Sequence, residues 1–171
     1  MEYQLPEGAV PLIGPGEPSV WQLVERKTGQ RVPESYRSFL ECYNGVDFRG
    51  AYPQIDDGDD ALDGPKEILR MFGESDVVTE GRHGGGGLLR IIFLYGILGE
   101  NSGLPERFLP IADVFPGCLI LLSTSSSDVG RLYLSDEEPL VDPESDPPTP
   151  FHTRSWDCFE DFWAEVVRCT R

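Results

Sequence analysis

The residues that first invite chemistry are His83-Gly84-Gly85-Gly86. They resemble the H-G-G-G loop that supplies oxyanion-hole N–H groups in some esterases. Ester hydrolysis would also need a serine on a G-x-S-x-G elbow and a histidine base. No such elbow occurs, because Gly99-Glu100-Asn101-Ser102-Gly103 places its serine one position late. With His83 used in the loop, His152 is the sole base candidate, and it lies in a proline-rich segment. A flexible glycine loop accounts for the run better than an oxyanion hole does.

The acidic run Asp56-Asp57-Gly58-Asp59-Asp60-Ala61-Leu62-Asp63 invites calcium. An EF-hand loop needs oxygens at positions 1, 3 and 5, Gly at 6 and Glu at 12. Read from Asp57, position 5 is Ala61 and position 6 is Leu62, so two essential places fail. There is no G-x-x-x-x-G-K-[ST], and the glycine run leads into apolar strand-like sequence rather than a helix, so no phosphate cradle is indicated. Cys42, Cys118, Cys158 and Cys169 form no C-x-x-C pair. Cys158 and Cys169 read as one helix, roughly 16 Å apart along its axis, too far to bridge. They are expected as reduced, buried thiols of a cytoplasmic protein. Trp21, Trp156 and Trp163 sit in helical apolar stripes and are read as core. The expectation is therefore no catalytic residue, no metal site and no cofactor.

The bulk composition sets the frame around these residues. The chain has 171 residues with 14 Lys+Arg against 30 Asp+Glu, a formal charge of −16. Such a surplus repels phosphate backbones and anionic lipid surfaces, so nucleic-acid and membrane partners are not expected. It leaves room for a basic protein partner. No apolar run is long enough to span a membrane, and the first residues carry no basic and apolar leader pattern. The 39% hydrophobic content suits one globular domain.

Periodicity then places the elements. Ser19 and Gln22 have capping-box spacing ahead of Val20, Leu23, Val24 and Lys27, and Gly29 stops that helix. A second helix starts at Pro33, runs through Tyr36, Phe39, Leu40 and Tyr43, and ends at Asn44-Gly45. Val46 to Ala51 suggests a short strand. A mobile Gly/Asp-rich insertion is expected at about 52–87, with a short helix from Pro65 to Phe72. Strands are expected at Leu88–Tyr95, Phe108–Val114 with Pro110 at an edge or bulge, Cys118–Thr124 and Arg131–Ser135. In the last of these, one face is expected to be buried. Asp136 to Pro150 reads as a loop, and Ser155 as the cap of a closing helix whose stripe runs from Trp156 to Val167. The fold class is α+β: a single domain with a mainly antiparallel central sheet, flanked by N-terminal and C-terminal helices.

These segments resemble the SUKH superfamily, the SMI/KNR-type domain. Val32-Pro33-Glu34-Ser35-Tyr36-Arg37-Ser38-Phe39-Leu40 with Tyr43-Asn44-Gly45 is similar to its L-P-x-x-Y-x-x-F-L … N-G segment. Leu94-Tyr95-Gly96, Phe108-Leu109-Pro110-Ile111-Ala112, the hairpin from Gly117 to Tyr133, and Ser155 with Phe159, Phe162 and Trp163 follow in the family's order. The agreement runs from about Pro18 to Val167. The long 52–87 stretch and Val46 after Asn44-Gly45 depart from the pattern. The resemblance implies an α+β fold without catalysis. It also implies a role as an immunity protein that binds a cognate toxin, often a nuclease or deaminase. A regulatory or scaffolding module of the same fold is the alternative, and an esterase is a third reading.

Charge adds a bottom-up reason for immunity. A nuclease toxin needs a basic surface to hold phosphates, and an acidic inhibitor meets it with matching potential. Two spans contain no Lys or Arg: Asp56, Asp57, Asp59, Asp60 and Asp63, then Asp136, Glu137 and Glu138 with Asp142, Glu144 and Asp146. One of them is expected to face the basic surface of the toxin. The oligomeric state is left open by the sequence.

Overall fold

The computed structural model describes residues 3–11, 20–56, 65–73, 106–135, 141–142, 149–150 and 152–170. Its main sheet is antiparallel throughout. Strands β1 (Val10–Pro11), β2 (Val46–Asp47), β4 (Lys66–Met71), β5 (Phe108–Phe115), β6 (Cys118–Ser123), β7 (Leu132–Ser135) and β10 (His152–Trp156) lie in that order, and β3 (Gln54–Ile55) also pairs with β4. A separate two-stranded pair joins β8 (Val141–Asp142) to β9 (Thr149–Pro150). Helices α1 (Val20–Thr28) and α2 (Glu34–Tyr43) come early and α3 (Phe159–Cys169) late. The expected α+β class with helices at both ends is what the chain adopts.

Local chemistry explains the helix ends. Thr28 Oγ1 donates to the Val24 carbonyl at 2.8 Å, and Gly29 takes φ +73° just beyond, where a side chain would be strained. Pro33 stands one residue before α2 rather than inside it. Its carbonyl accepts the N–H groups of Tyr36 and Arg37, both at 3.0 Å. Asn44 closes α2 in the left-handed region, with its N–H on the Leu40 carbonyl.

The core lies on the helix-covered face of the sheet. An aromatic cluster fills it: Phe39 sits 5.0 Å from Phe159 and 4.9 Å from Trp163, centroid to centroid, and Tyr3 meets all three rings edge-on. Trp156 and Trp163 are buried and Trp21 packs against the core, as expected of core tryptophans.

Two expected helical features are strands. Residues 65–72 read as a helix because Lys, Glu, Leu, Arg and Met favour helices and Pro65 suits a first turn. They form β4 instead, which pairs with β2 and β3 on one side and β5 on the other. A register shift between Ile68 and Arg70 changes the strand's phase, so Ile68 and Met71 both reach the core. The bulge therefore imitates the i, i+3 spacing of a helix. The supposed insertion at 52–87 thus contains two sheet strands; residues 57–64 and 74–87 lie outside the described residues. Likewise, Ser155 is not a helix cap. Ser155 and Trp156 pair with Tyr133 and Leu132 in β10, and α3 starts only at Phe159 after Cys158 at its cap position. Trp156 still reaches the core, with its ring 5.1 Å from Phe162.

Smaller differences follow from packing. The register shifts beside Pro110, so the bulge expectation holds; β5 is paired on both sides, but at Pro110 itself only with β6. Both faces of β7 are buried, because Tyr133 packs with Phe108 and Leu121 on the far side of the sheet while Leu132 and Leu134 enter the main core. The strand expected at Val46–Ala51 is limited to Val46–Asp47. The expected strand at 88–95 lies outside the described residues.

Candidate partner-binding surface

Asp56 is the one expected contact residue whose surroundings are described, and it is exposed at the end of β3. Its main-chain carbonyl accepts a hydrogen bond from Arg154 Nη1. The other side of that guanidinium is fixed. Arg154 Nη2 donates to Glu165 Oε2 at 2.7 Å, and the same oxygen accepts Trp156 Nε1 at 2.9 Å. The guanidinium also lies over the Trp156 ring, 5.1 Å from its centroid. Glu165 is only 8% exposed. A carboxylate removed from water needs a cation and donors around it, and Arg154 with Trp156 supplies both.

The sequence carried a signal for this cluster that went unread. Glu165 falls on the buried stripe of α3 among Phe162, Trp163 and Val166, where a lone carboxylate requires a partner. Arg154 and Trp156 are two apart on one strand, so they share its face. Assigning Trp156 to a helix hid that relation.

Asp57, Asp59, Asp60, Asp63, Asp136, Glu137 and Glu138 lie outside the described residues. The points where their segments join the fold are described. The first segment follows Asp56, which is tied to Arg154. The second follows Ser135, whose strand partner is His152, two residues before Arg154. The first segment thus leaves from β3, where the Arg154 side chain of β10 reaches it, and the second leaves from β7, the strand paired with β10. Within the stretch expected as a loop, Val141–Asp142 pairs with Thr149–Pro150. Charge is unevenly divided too: 15 of the 30 acidic residues but 11 of the 14 basic ones fall within the described residues.

The β6–β7 hairpin loop holds a polar cluster of its own. Asp128 accepts hydrogen bonds from the Ser123 hydroxyl at 2.7 Å and the Tyr133 hydroxyl at 2.6 Å, one on each carboxylate oxygen. Partial burial works against ionisation of Asp128, but these donors prevail and hold its carboxyl below the usual range. Burial, and then the bond to Asp128, pushes the Tyr133 hydroxyl up to about 12. The arrangement ties the loop to both strands.

A depressed carboxyl stabilises the fold above its unfolded value and loses that contribution as pH falls through the folded one. Asp128→Ala is therefore expected to cost about 1–2 kcal/mol at pH 7. The deficit should shrink as pH drops below about 4. Thermal unfolding followed by circular dichroism from pH 3 to 8 measures it.

For the esterase reading, His152 lies in β10, whereas His83 to Gly86 and Gly99 to Gly103 lie outside the described residues. Among the described residues no group of His, Cys, Asp and Glu could hold a metal ion. No helix among them is long and apolar enough to cross a membrane. None of the four cysteines is bridged; Cys118 is buried, but Cys42 is exposed and Cys158 and Cys169 are half-buried, so the expectation of buried thiols holds for Cys118 alone.

The resemblance seen in the sequence now has places in the fold. Tyr36, Phe39 and Leu40 form the buried face of α2, Phe108 to Ala112 lie in β5, and the Gly117 to Tyr133 hairpin is β6–β7. Phe159, Phe162 and Trp163 are the buried face of α3, and Leu94 to Gly96 lie outside the described residues. No curated protein matches the sequence. The model of the SMI1 / KNR4 family (SUKH-1) does match, over residues 16–165, so the chain belongs to that family.

Proposed function

We propose that this chain is an immunity protein: it binds a cognate bacterial toxin domain, a nuclease or a deaminase, and neutralises it by occlusion in the cytoplasm. The observation that carries the reading is the family match over residues 16–165, since the SUKH family includes toxin immunity proteins and is generally non-catalytic. Charge supports it. A toxin that handles nucleic acid presents a basic surface, and a −16 inhibitor is drawn to that surface. Asp56, Asp57, Asp59, Asp60 and Asp63 form one contact segment and Asp136, Glu137 and Glu138 the other. Arg154 of β10 links the root of the first to the strand that pairs with the root of the second.

The deciding experiment is co-expression with the product of the neighbouring gene. Immunity requires that this chain restores growth and co-purifies with that product. A chain that co-purifies with a harmless partner instead serves as a regulatory or scaffolding module. Reversing Asp136, Glu137 and Glu138 to Lys should weaken toxin binding at low salt by about tenfold or more and flatten its salt dependence. Unchanged affinity at low salt removes that segment from the interface.

A further inference from the structure

Among the described residues only Tyr52, Phe115 and Val129 are large apolar side chains left exposed, and two of them border one carboxylate. The register sets Gln54 opposite Glu67, and Glu67 opposite Phe115, across β3, β4 and β5. Side chains directly opposite on antiparallel strands leave the same face, with Cβ atoms about 4.5–5.5 Å apart. Glu67 therefore stands between Gln54 and Phe115 in one row. Phe115 is 58% exposed. Tyr52, 37% exposed, precedes Gln54 by two residues and lines a shallow groove with Gln54, Glu67, Gly50 and Cys169.

This row lacks what a structural role would give it. Among the described residues no Lys or Arg forms an ion pair with Glu67. Among the described residues its one side-chain hydrogen-bond partner is the Gln54 amide, which donates to it at a long 3.5 Å. Sheet packing gains nothing from leaving a phenylalanine in water beside a carboxylate. A cation gains from both, since the carboxylate supplies charge and aromatic faces attract cations electrostatically.

The geometry points to a docking cleft for an arginine side chain of a basic protein partner, with Glu67 pairing the guanidinium and Tyr52 and Phe115 flanking it. Arginine suits the cleft better than lysine, because its planar group stacks on rings while its N–H fork pairs with a carboxylate. A second copy of this chain is a poor occupant, since two bodies of −16 repel. The partner class rests on the immunity reading; the cleft's chemistry rests on the row itself.

Two measurements test the assignment on the full chain. The first is an NMR titration with the peptide acetyl-Gly-Arg-Gly-amide, alongside the neutral isostere in which citrulline replaces arginine. Saturable shifts at the Gln54 side-chain amide and the Tyr52 and Phe115 rings are expected, with the citrulline peptide weaker by about tenfold. Glu67→Gln and Phe115→Ala should each weaken the arginine peptide by about three- to tenfold. Both positions are solvent-facing, and Glu67→Gln serves alone if Phe115→Ala misfolds. Equal responses to the two peptides, or none in this row, overturn the cleft.

The second measurement is co-purification with the toxin. If the parent chain captures the toxin and Glu67→Gln captures it equally well, the cleft fails while immunity stands. If no toxin is captured at all, immunity fails, and the peptide titration still decides the cleft.

Discussion

Phe39→Ala is expected to remove about 4 kcal/mol of folding stability, the largest loss from any single truncation on α2. Phe39 is fully buried. Its ring meets Tyr3, Tyr36, Tyr43, Phe159 and Trp163 at centroid distances from 4.9 to 5.8 Å. Those rings belong to the N-terminal segment, α2 and α3, so none can collapse into the space without breaking its own edge or stacking contacts. Domains of this kind are stable by about 5–15 kcal/mol, so the loss takes a large share. Urea unfolding should show the midpoint falling by about 2 M at a slope of about 2 kcal/mol/M. A loss under about 1 kcal/mol would mean that the cluster is not the centre of the core.

Gly73→Ala is expected to be nearly as damaging for a different reason. Phe72 and Gly73 follow β4, and a Cβ on Gly73 would lie 2.1 Å from the Asn44 carbonyl oxygen and 2.4 Å from its carbon. The obstacle is main chain, held in the left-handed turn that ends α2, so it cannot swing aside as a side-chain tip would. Either the end of β4 or the cap of α2 must move, at about 3 kcal/mol. The internal control is Gly50→Ala. Gly50 has open space around it and only a φ of +93° to lose, so about 1 kcal/mol is expected. Equal costs at the two positions would show that the Asn44 main chain yields readily to the added Cβ.

Elements whose apolar spacing matches a single local period were readable in the sequence. Tyr36, Phe39 and Leu40 on α2, and Ile120 with Leu122 on β6, follow their own periods and land in the core as expected. The misreadings at 65–72 and at Ser155 share a cause. In each, a strand delivers core residues at helical spacing: Ile68 and Met71 through a bulge, Trp156 and Phe159 through a turn between strand and helix. Only the neighbouring strands resolve that ambiguity, and sequence periodicity does not contain them. The candidate surface was legible as charge but not as geometry. Asp56 was named for its carboxylate, yet its carbonyl holds Arg154. The row of Gln54, Glu67 and Phe115 exists only through pairings between residues 13 and 48 apart in the chain.

The closure of the aromatic cluster bears on timing during synthesis. Tyr3 contacts Phe159 and Trp163, Trp163 Nε1 donates to the Gln4 carbonyl, and β7 has no β10 beside it until His152 to Trp156 exist. At ribosomal elongation rates, Tyr3 waits on the order of 10 s for those partners. Throughout that interval Tyr3 and Phe39 lack their α3 partners. The emerging polypeptide is thus in its most sticky and protease-sensitive form until α3 has cleared the exit tunnel. This sets a lag between the start of translation and the first folded molecule, fixed by which residues must meet.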